Sequence, residues 1–211
     1  MRPDSVERIA ETGVIAILRG VSVEDAPDVA AAVTEGGVAA LEITADTPNV
    51  TAAIEAVADR VDAAVGVGTV LDAETARAAQ LAGAEFVVTP TVNRAVIRTA
   101  NRYGTPIAAG AYTPTEALDA FEAGADFVKV FPAKTGGPAH VAALGGPLSQ
   151  IPLVPTGGVS ADNAGAYVEA GAAAVGVGSA IVDRDAVGAG EYDRIAANAR
   201  AVVEAVATAR E

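Results

Sequence analysis

EAGADFVKVFP, residues 122–132, runs from the end of an amphipathic segment through a glycine into a short apolar strand broken by Lys129. The arrangement recurs as EGGVAALEIT at 35–44, LAGAEFVVTP at 81–90 and EAGAAAVGVGS at 169–179. A glycine just past a helical stretch, followed within a few residues by apolar residues, marks a helix stop feeding a strand. Between these repeats lie weaker apolar runs, VIAIL at 14–18, AAVGVGTV at 63–70, TPIAAGA at 105–111 and PLVPTG at 152–157. Together they predict eight strands.

The intervening stretches SVEDAPDVAAAVTEG, TPNVTAAIEAVADR, DAETARAAQLAG, TPTEALDAFEAG and SADNAGAYVEAG open on a capping Ser, Thr or Asp and carry apolar residues at helical spacing. Strict strand–helix alternation implies parallel strands with right-handed crossovers. Eight such units in 211 residues predict an α/β fold of the (β/α)8 TIM-barrel type, one domain over residues 1–211. An open doubly wound sheet is the rival, but LRGVSVED after the first strand lacks the G-x-G-x-x-G fingerprint. Residues 3–12 are expected to form an extra helix capping the barrel floor.

Composition narrows the chemistry. Cysteine is absent, which excludes disulfides, thiolate nucleophiles and cysteine metal sites, and one histidine, His140, cannot build a histidine metal cluster. No metal site or cofactor is expected. A formal charge of −13 repels polyanions, so neither nucleic acid nor an anionic membrane is an expected partner. No run reaches the roughly 18 apolar residues of a membrane helix, and MRPDSVERIAETG reads as a short helix rather than a secretory leader, giving a cytoplasmic expectation. The acidic surface, the abundant alanine and the near-absence of lysine, two against twelve arginines, suit a high-salt, halophilic setting where like-charge repulsion is screened.

In such a barrel the active site lies at the C-terminal strand ends. Polar residues closing the apolar runs become candidates: Arg19, Glu42, Thr44, Thr69, Thr89, Lys129, Thr156 and Ser179. Alternation puts Phe127, Lys129 and Phe131 on one strand face and Val128 and Val130 on the other, so valines packed on helices leave the lysine inside the barrel. Burial disfavours a charged amine, and a neutral amine attacks carbonyls to form a Schiff base. The alternative is a structural ion pair with Glu42, itself the natural general acid/base at a neighbouring strand end.

VPTGGVSADN at 154–163 and AVGVGSAIV at 174–182 place small residues after the last two strands, a frequent phosphate site of these barrels. Tight turns are the alternative use of those glycines. Arg19, ending the first strand, suits a bidentate carboxylate contact or a surface ion pair. Lys134 and His140 read as surface and capping residues. A nucleophilic lysine, a carboxylate, an arginine and a phosphate pocket describe a metal-independent aldolase acting on a phosphorylated keto acid.

LRG at 18–20, GGVAALEIT at 36–44, VGVGTV at 65–70, VVTP at 87–90, FVKVFPA at 127–133, VPTGGVSADN at 154–163 and VGVGSA at 175–180 resemble, in order and spacing, the KDPG/4-hydroxy-2-oxoglutarate aldolase family, with KDPG standing for 2-keto-3-deoxy-6-phosphogluconate. The resemblance implies a class I aldolase barrel that releases pyruvate and glyceraldehyde 3-phosphate, with Lys129 as the Schiff-base lysine and Glu42 as the acid/base. It further implies Arg19, Thr69 and Pro90 around the pyruvate carboxylate, Phe131 beside the imine, and Thr156, Gly157, Gly158, Gly178 and Ser179 at the phosphate. A homotrimer is implied as well. Two positions depart from the family pattern: Asp46 stands where many members carry arginine, and Ala180 where many carry tryptophan. The galactonate epimer and 4-hydroxy-2-oxoglutarate remain alternative substrates, and a phosphate-binding isomerase or transferase without imine chemistry, or a non-catalytic phospho-sugar sensor, are the more distant readings.

Overall fold

The computed structural model describes residues 4–211. Eight strands alternate with helices: β1 (Val14–Leu18), β2 (Ala40–Thr44), β3 (Ala64–Gly68), β4 (Phe86–Thr89), β5 (Ile107–Ala111), β6 (Phe127–Val130), β7 (Leu153–Pro155) and β8 (Val175–Val177). Every paired neighbour is parallel, in the order β7-β6-β5-β4-β3-β2-β1-β8. A parallel bridge between Thr156 and Gly176 brings the two edges together and nearly closes the barrel. The eight expected strands and the TIM-barrel topology are therefore observed.

The four repeat glycines account for the regularity. Gly37, Gly83, Gly124 and Gly171 all hold φ between +93° and +100°, the region an L side chain avoids. The residue after each donates back across the helix end, Val38 to Val33, Ala84 to Ala79, Ala125 to Ala120 and Ala172 to Tyr167. This double bond pattern stops the helix and turns the chain into the next strand. At the helix starts the Asp72 and Thr113 side chains cap as expected, and Asn163 closes back on the Ser160 N–H at 2.9 Å. Ser22 and Thr47 do not cap: the second and third helices begin at Ala26 and Val50, after Asp25 and a left-handed Asn49. There Pro27 and the Asn49 turn fix the entry instead.

Two apolar layers result. Alternate strand residues such as Val65, Val87, Val128 and Val130 pack outward against helices, and Ile15, Ala64, Phe86, Ala108, Phe127 and Val154 fill the barrel interior. The extra helix is α1 (Asp4–Thr12), and its Val6 and Ile9 belong to that interior cluster. It plugs the floor, each of these side chains contributing about 1.5–3 kcal/mol by burial. Residue 3 of the expected 3–12 segment lies outside the described residues. Among them, no helix is long and apolar enough to cross a membrane.

Candidate active site

With the floor packed, the open end is the C-terminal one. A cavity of about 460 Å³ there is lined by Arg19, Lys129, Phe131, Thr156, Gly157, Gly158, Gly178 and Ser179, together with Ile17, Val159, Val182 and Arg184. Eight sequence-stretch candidates from strands β1, β6, β7 and β8 thus meet in one space. The last four residues were not singled out by sequence.

Lys129 occupies the inward face of β6 between outward-packed Val128 and Val130, and is 4% exposed. Its Nζ lies 3.9 Å from Glu42 Oε1, beyond hydrogen-bond reach, and 5.4 Å from the Phe131 ring centre. Glu42, on the inward face of β2, is 1% exposed, and its Oε1 has no hydrogen-bond partner. Burial pushes the Glu42 carboxyl above the usual carboxylate range, the Lys129 and Arg19 charges only partly offsetting it. Both side chains also border a smaller void of about 10 Å³ inside the barrel, close to the ~10–15 Å³ one water needs. A carboxyl with an unfilled hydrogen-bonding position beside an amine, at a spacing that admits a water, is equipped to move protons.

Space for Glu42 comes from across the sheet. Thr44 pairs in register with Gly68, and a Cβ added at Gly68 would overlap the Glu42 carboxylate. Gly68→Ala is therefore expected to displace that carboxylate and lower kcat by about 100-fold, with a loss of only ~1–3 kcal/mol in stability. Steady-state kinetics beside urea unfolding checks this; unchanged kcat would mean that the Glu42 position does not matter.

Arg19 combines the two uses anticipated for it. It lines the cavity, donates from Nη2 to the Thr69 hydroxyl at 2.8 Å and pairs through Nη1 with Asp46 at 2.9 Å. Thr69 adopts φ +58° just past β3, a strained state for a β-branched residue costing about 1–3 kcal/mol. Burial works against ionising Asp46, yet the neighbouring Thr44 hydroxyl and the Arg19 guanidinium outweigh it and hold that carboxyl below its usual range. Asp46, in the place of the family's arginine, thus fixes Arg19 rather than adding a cation.

Pro90 does not line the cavity. Its backbone packs on Gly110, the β5 partner of Lys129. Thr89 turns its hydroxyl to the Thr91 carbonyl at 3.2 Å, and Thr44 is buried without a hydrogen-bond partner. His140 stacks on Tyr112 and places Nε2 2.7 Å from the Tyr112 carbonyl, a packing role rather than the solvated or capping one expected. Lys134 lays its stem against Gly158.

At the other end of the cavity Gly157 and Gly158 take φ +92° and +83°. The Phe131 ring covers Gly157, where a Cβ would come within 3.2 Å of it. Among the described residues, the N–H groups of Gly158 and Ser179 donate to no backbone acceptor, which leaves them for an anion. No group of three or more His, Cys, Asp or Glu among the described residues is placed to hold a metal ion.

Residues 6–198 match the family model described as "Aldolase: KDPG and KHG aldolase". The chain belongs to that family. It is 38% identical to 2-dehydro-3-deoxy-6-phosphogalactonate aldolase of Escherichia coli over 90% of this chain and 93% of the other. It is 35% identical to 2-dehydro-3-deoxy-phosphogluconate aldolase of Treponema pallidum over 96% of each. KDPG aldolase from Legionella pneumophila, solved with pyruvate captured as a covalent carbinolamine intermediate, superposes with a TM-score of 0.84 at 29% identity, covering 92% of this chain and 96% of that one. Among KDPG and KHG aldolases, relatives at similar identity thus carry both the gluconate and the galactonate names.

Proposed function

We propose that this chain is a class I aldolase cleaving 2-dehydro-3-deoxy-6-phosphogluconate to pyruvate and D-glyceraldehyde 3-phosphate in an Entner–Doudoroff-type degradation of sugar acids. The observation that carries the reading is Lys129: a buried amine at the base of the cavity, 3.9 Å from a partnerless carboxyl oxygen. Its nitrogen adds to the C2 carbonyl and water leaves, forming an iminium. Glu42, as carboxylate, takes the C4 hydroxyl proton through an intervening water. The C3–C4 bond breaks as C4 becomes the aldehyde, and its electron pair enters the iminium to give an enamine. Protonation at C3 and hydrolysis then release pyruvate and restore the amine. The imine is the electron sink, so the proposal calls for no metal or cofactor.

Arg19, held by Thr69, takes the substrate carboxylate, with Pro90 behind and Phe131 beside the imine. Thr156, Gly157, Gly158, Gly178 and Ser179 take the phosphate. A cytoplasmic, salt-adapted homotrimer completes the reading. The second substrate reading is the galactonate epimer, favoured by the name of the 38%-identical relative; parallel assays of both epimers and of 4-hydroxy-2-oxoglutarate rank them.

The test of the chemistry is borohydride reduction in the presence of pyruvate, followed by peptide mapping. With lysine only at 129 and 134, the expected result is loss of activity with a pyruvate adduct on Lys129. A folded enzyme that yields no adduct would move the isomerase or transferase reading to the front.

A further inference from the structure

Arg184 lines the same cavity as Lys129 and the two glycine loops. It belongs to DRD at 183–185, an acidic setting in a chain of 27 acids and 14 basic residues, yet it forms no ion pair among the described residues. Its neighbour Asp183 is occupied by Arg194 and by the Asp185 N–H at 2.8 Å. The guanidinium instead lies over Gly20, where an added Cβ would come within 3.0 Å of Nη2. Gly20, at φ +69° and without a side chain, leaves that seat open. Arg19, the other arginine of the cavity, is already neutralised by Asp46 at 2.9 Å, so the charge left uncompensated belongs to Arg184.

We propose that Arg184 is a substrate-binding residue that closes the anion site from the β8 side and takes the phosphate of the substrate against the Gly158 and Ser179 N–H groups. A planar fork of donors matches phosphate oxygens, and a phosphate carries about −1.5 to −2 charges to meet it. The reach from β8 across to β1 also separates the two ends of the ligand: Arg19 holds the carboxylate and Arg184 the phosphate. This inference rests on the aldolase reading for the identity of the ligand, but its anion chemistry is separable from imine formation.

The test compares wild type with Arg184→Ala and Arg184→Lys at fixed ionic strength. One readout is the Kd for inorganic phosphate, by calorimetry; the others are KM for the phosphorylated keto acid, kcat/KM for unphosphorylated 4-hydroxy-2-oxoglutarate, and borohydride trapping of pyruvate. Arg184→Ala is expected to raise the phosphate Kd and the KM by about tenfold or more. Arg184→Lys should recover part of the loss, and the unphosphorylated substrate and pyruvate trapping should be unaffected. Equal phosphate Kd values in wild type and Arg184→Ala, or no phosphate binding in wild type, would overturn the assignment even with the Lys129 adduct in hand. The reverse pattern, weakened phosphate binding without any adduct, would leave Arg184 in place and remove the aldolase chemistry.

Discussion

Lys129→Met is expected to lower kcat for aldol cleavage by about 10⁴-fold and to abolish the pyruvate adduct, in a protein that still folds. Methionine nearly matches the stem that lies between Phe127 and Phe131 on the inward face of β6, and volume-conserving changes are tolerated best in a packed interior. What it removes is the nitrogen on which every covalent step depends. It also removes the larger of the two charges that oppose the raised Glu42 carboxyl, so Glu42 is expected to rise further and to stay protonated over a wider range. A neutral Glu42 avoids the unpaired buried charge that makes broken ion pairs costly. Kinetics, adduct mapping and urea unfolding on the same preparation separate the cases. A kcat within tenfold of wild type would reduce Lys129 to a structural charge, whatever the cavity contains.

The barrel was legible because its decisive signals are local. A left-handed glycine at a helix end needs no knowledge of the rest of the fold, and Gly37, Gly83, Gly124 and Gly171 write the same instruction four times. Alternation in FVKV is equally local, and it placed Lys129 inside before any neighbour was known. Glu42 and the glycine loops followed from strand ends, since the topology itself gathers those ends at one rim.

What escaped is set by register and by loop geometry. That Gly68 makes room for Glu42 depends on how β2 slides against β3, and nothing near residue 68 in the sequence announces a carboxylate 26 positions earlier. Thr69 was expected to close a strand; it sits instead in a left-handed turn that carries its hydroxyl to Arg19. Pro90 follows a strand whose inward residues, Phe86 and Val88, are spent on the interior core, so β4 reaches the site only through backbone against Gly110. Arg184 lies beyond the last strand in a segment without periodicity, and its acidic neighbours suggested ion pairs. The available signal was the mismatch between three consecutive charges and the small-residue loop a few positions before them.

Glu42→Gln separates proton transfer from imine formation, because the amide keeps the shape of the side chain and cannot accept the C4 hydroxyl proton. It is expected to lower kcat by about 10²–10⁴-fold while pyruvate is still trapped on Lys129. The pH dependence identifies the group. Burial raises the Glu42 carboxyl, so the acid limb of the wild-type kcat/KM profile should lie above the ordinary carboxylate value of about 4.3, and the amide variant should lack that limb. Stability carries the same signature with a definite sign. Between the ordinary and the raised value the folded chain binds more protons at this site than the unfolded chain, so stability falls as pH rises through that window. Urea midpoints measured across it should therefore decline in wild type more than in Glu42→Gln. A purely structural counter-ion would reproduce the stability trend yet leave kcat and its acid limb unchanged, and that combination would take Glu42 out of the mechanism.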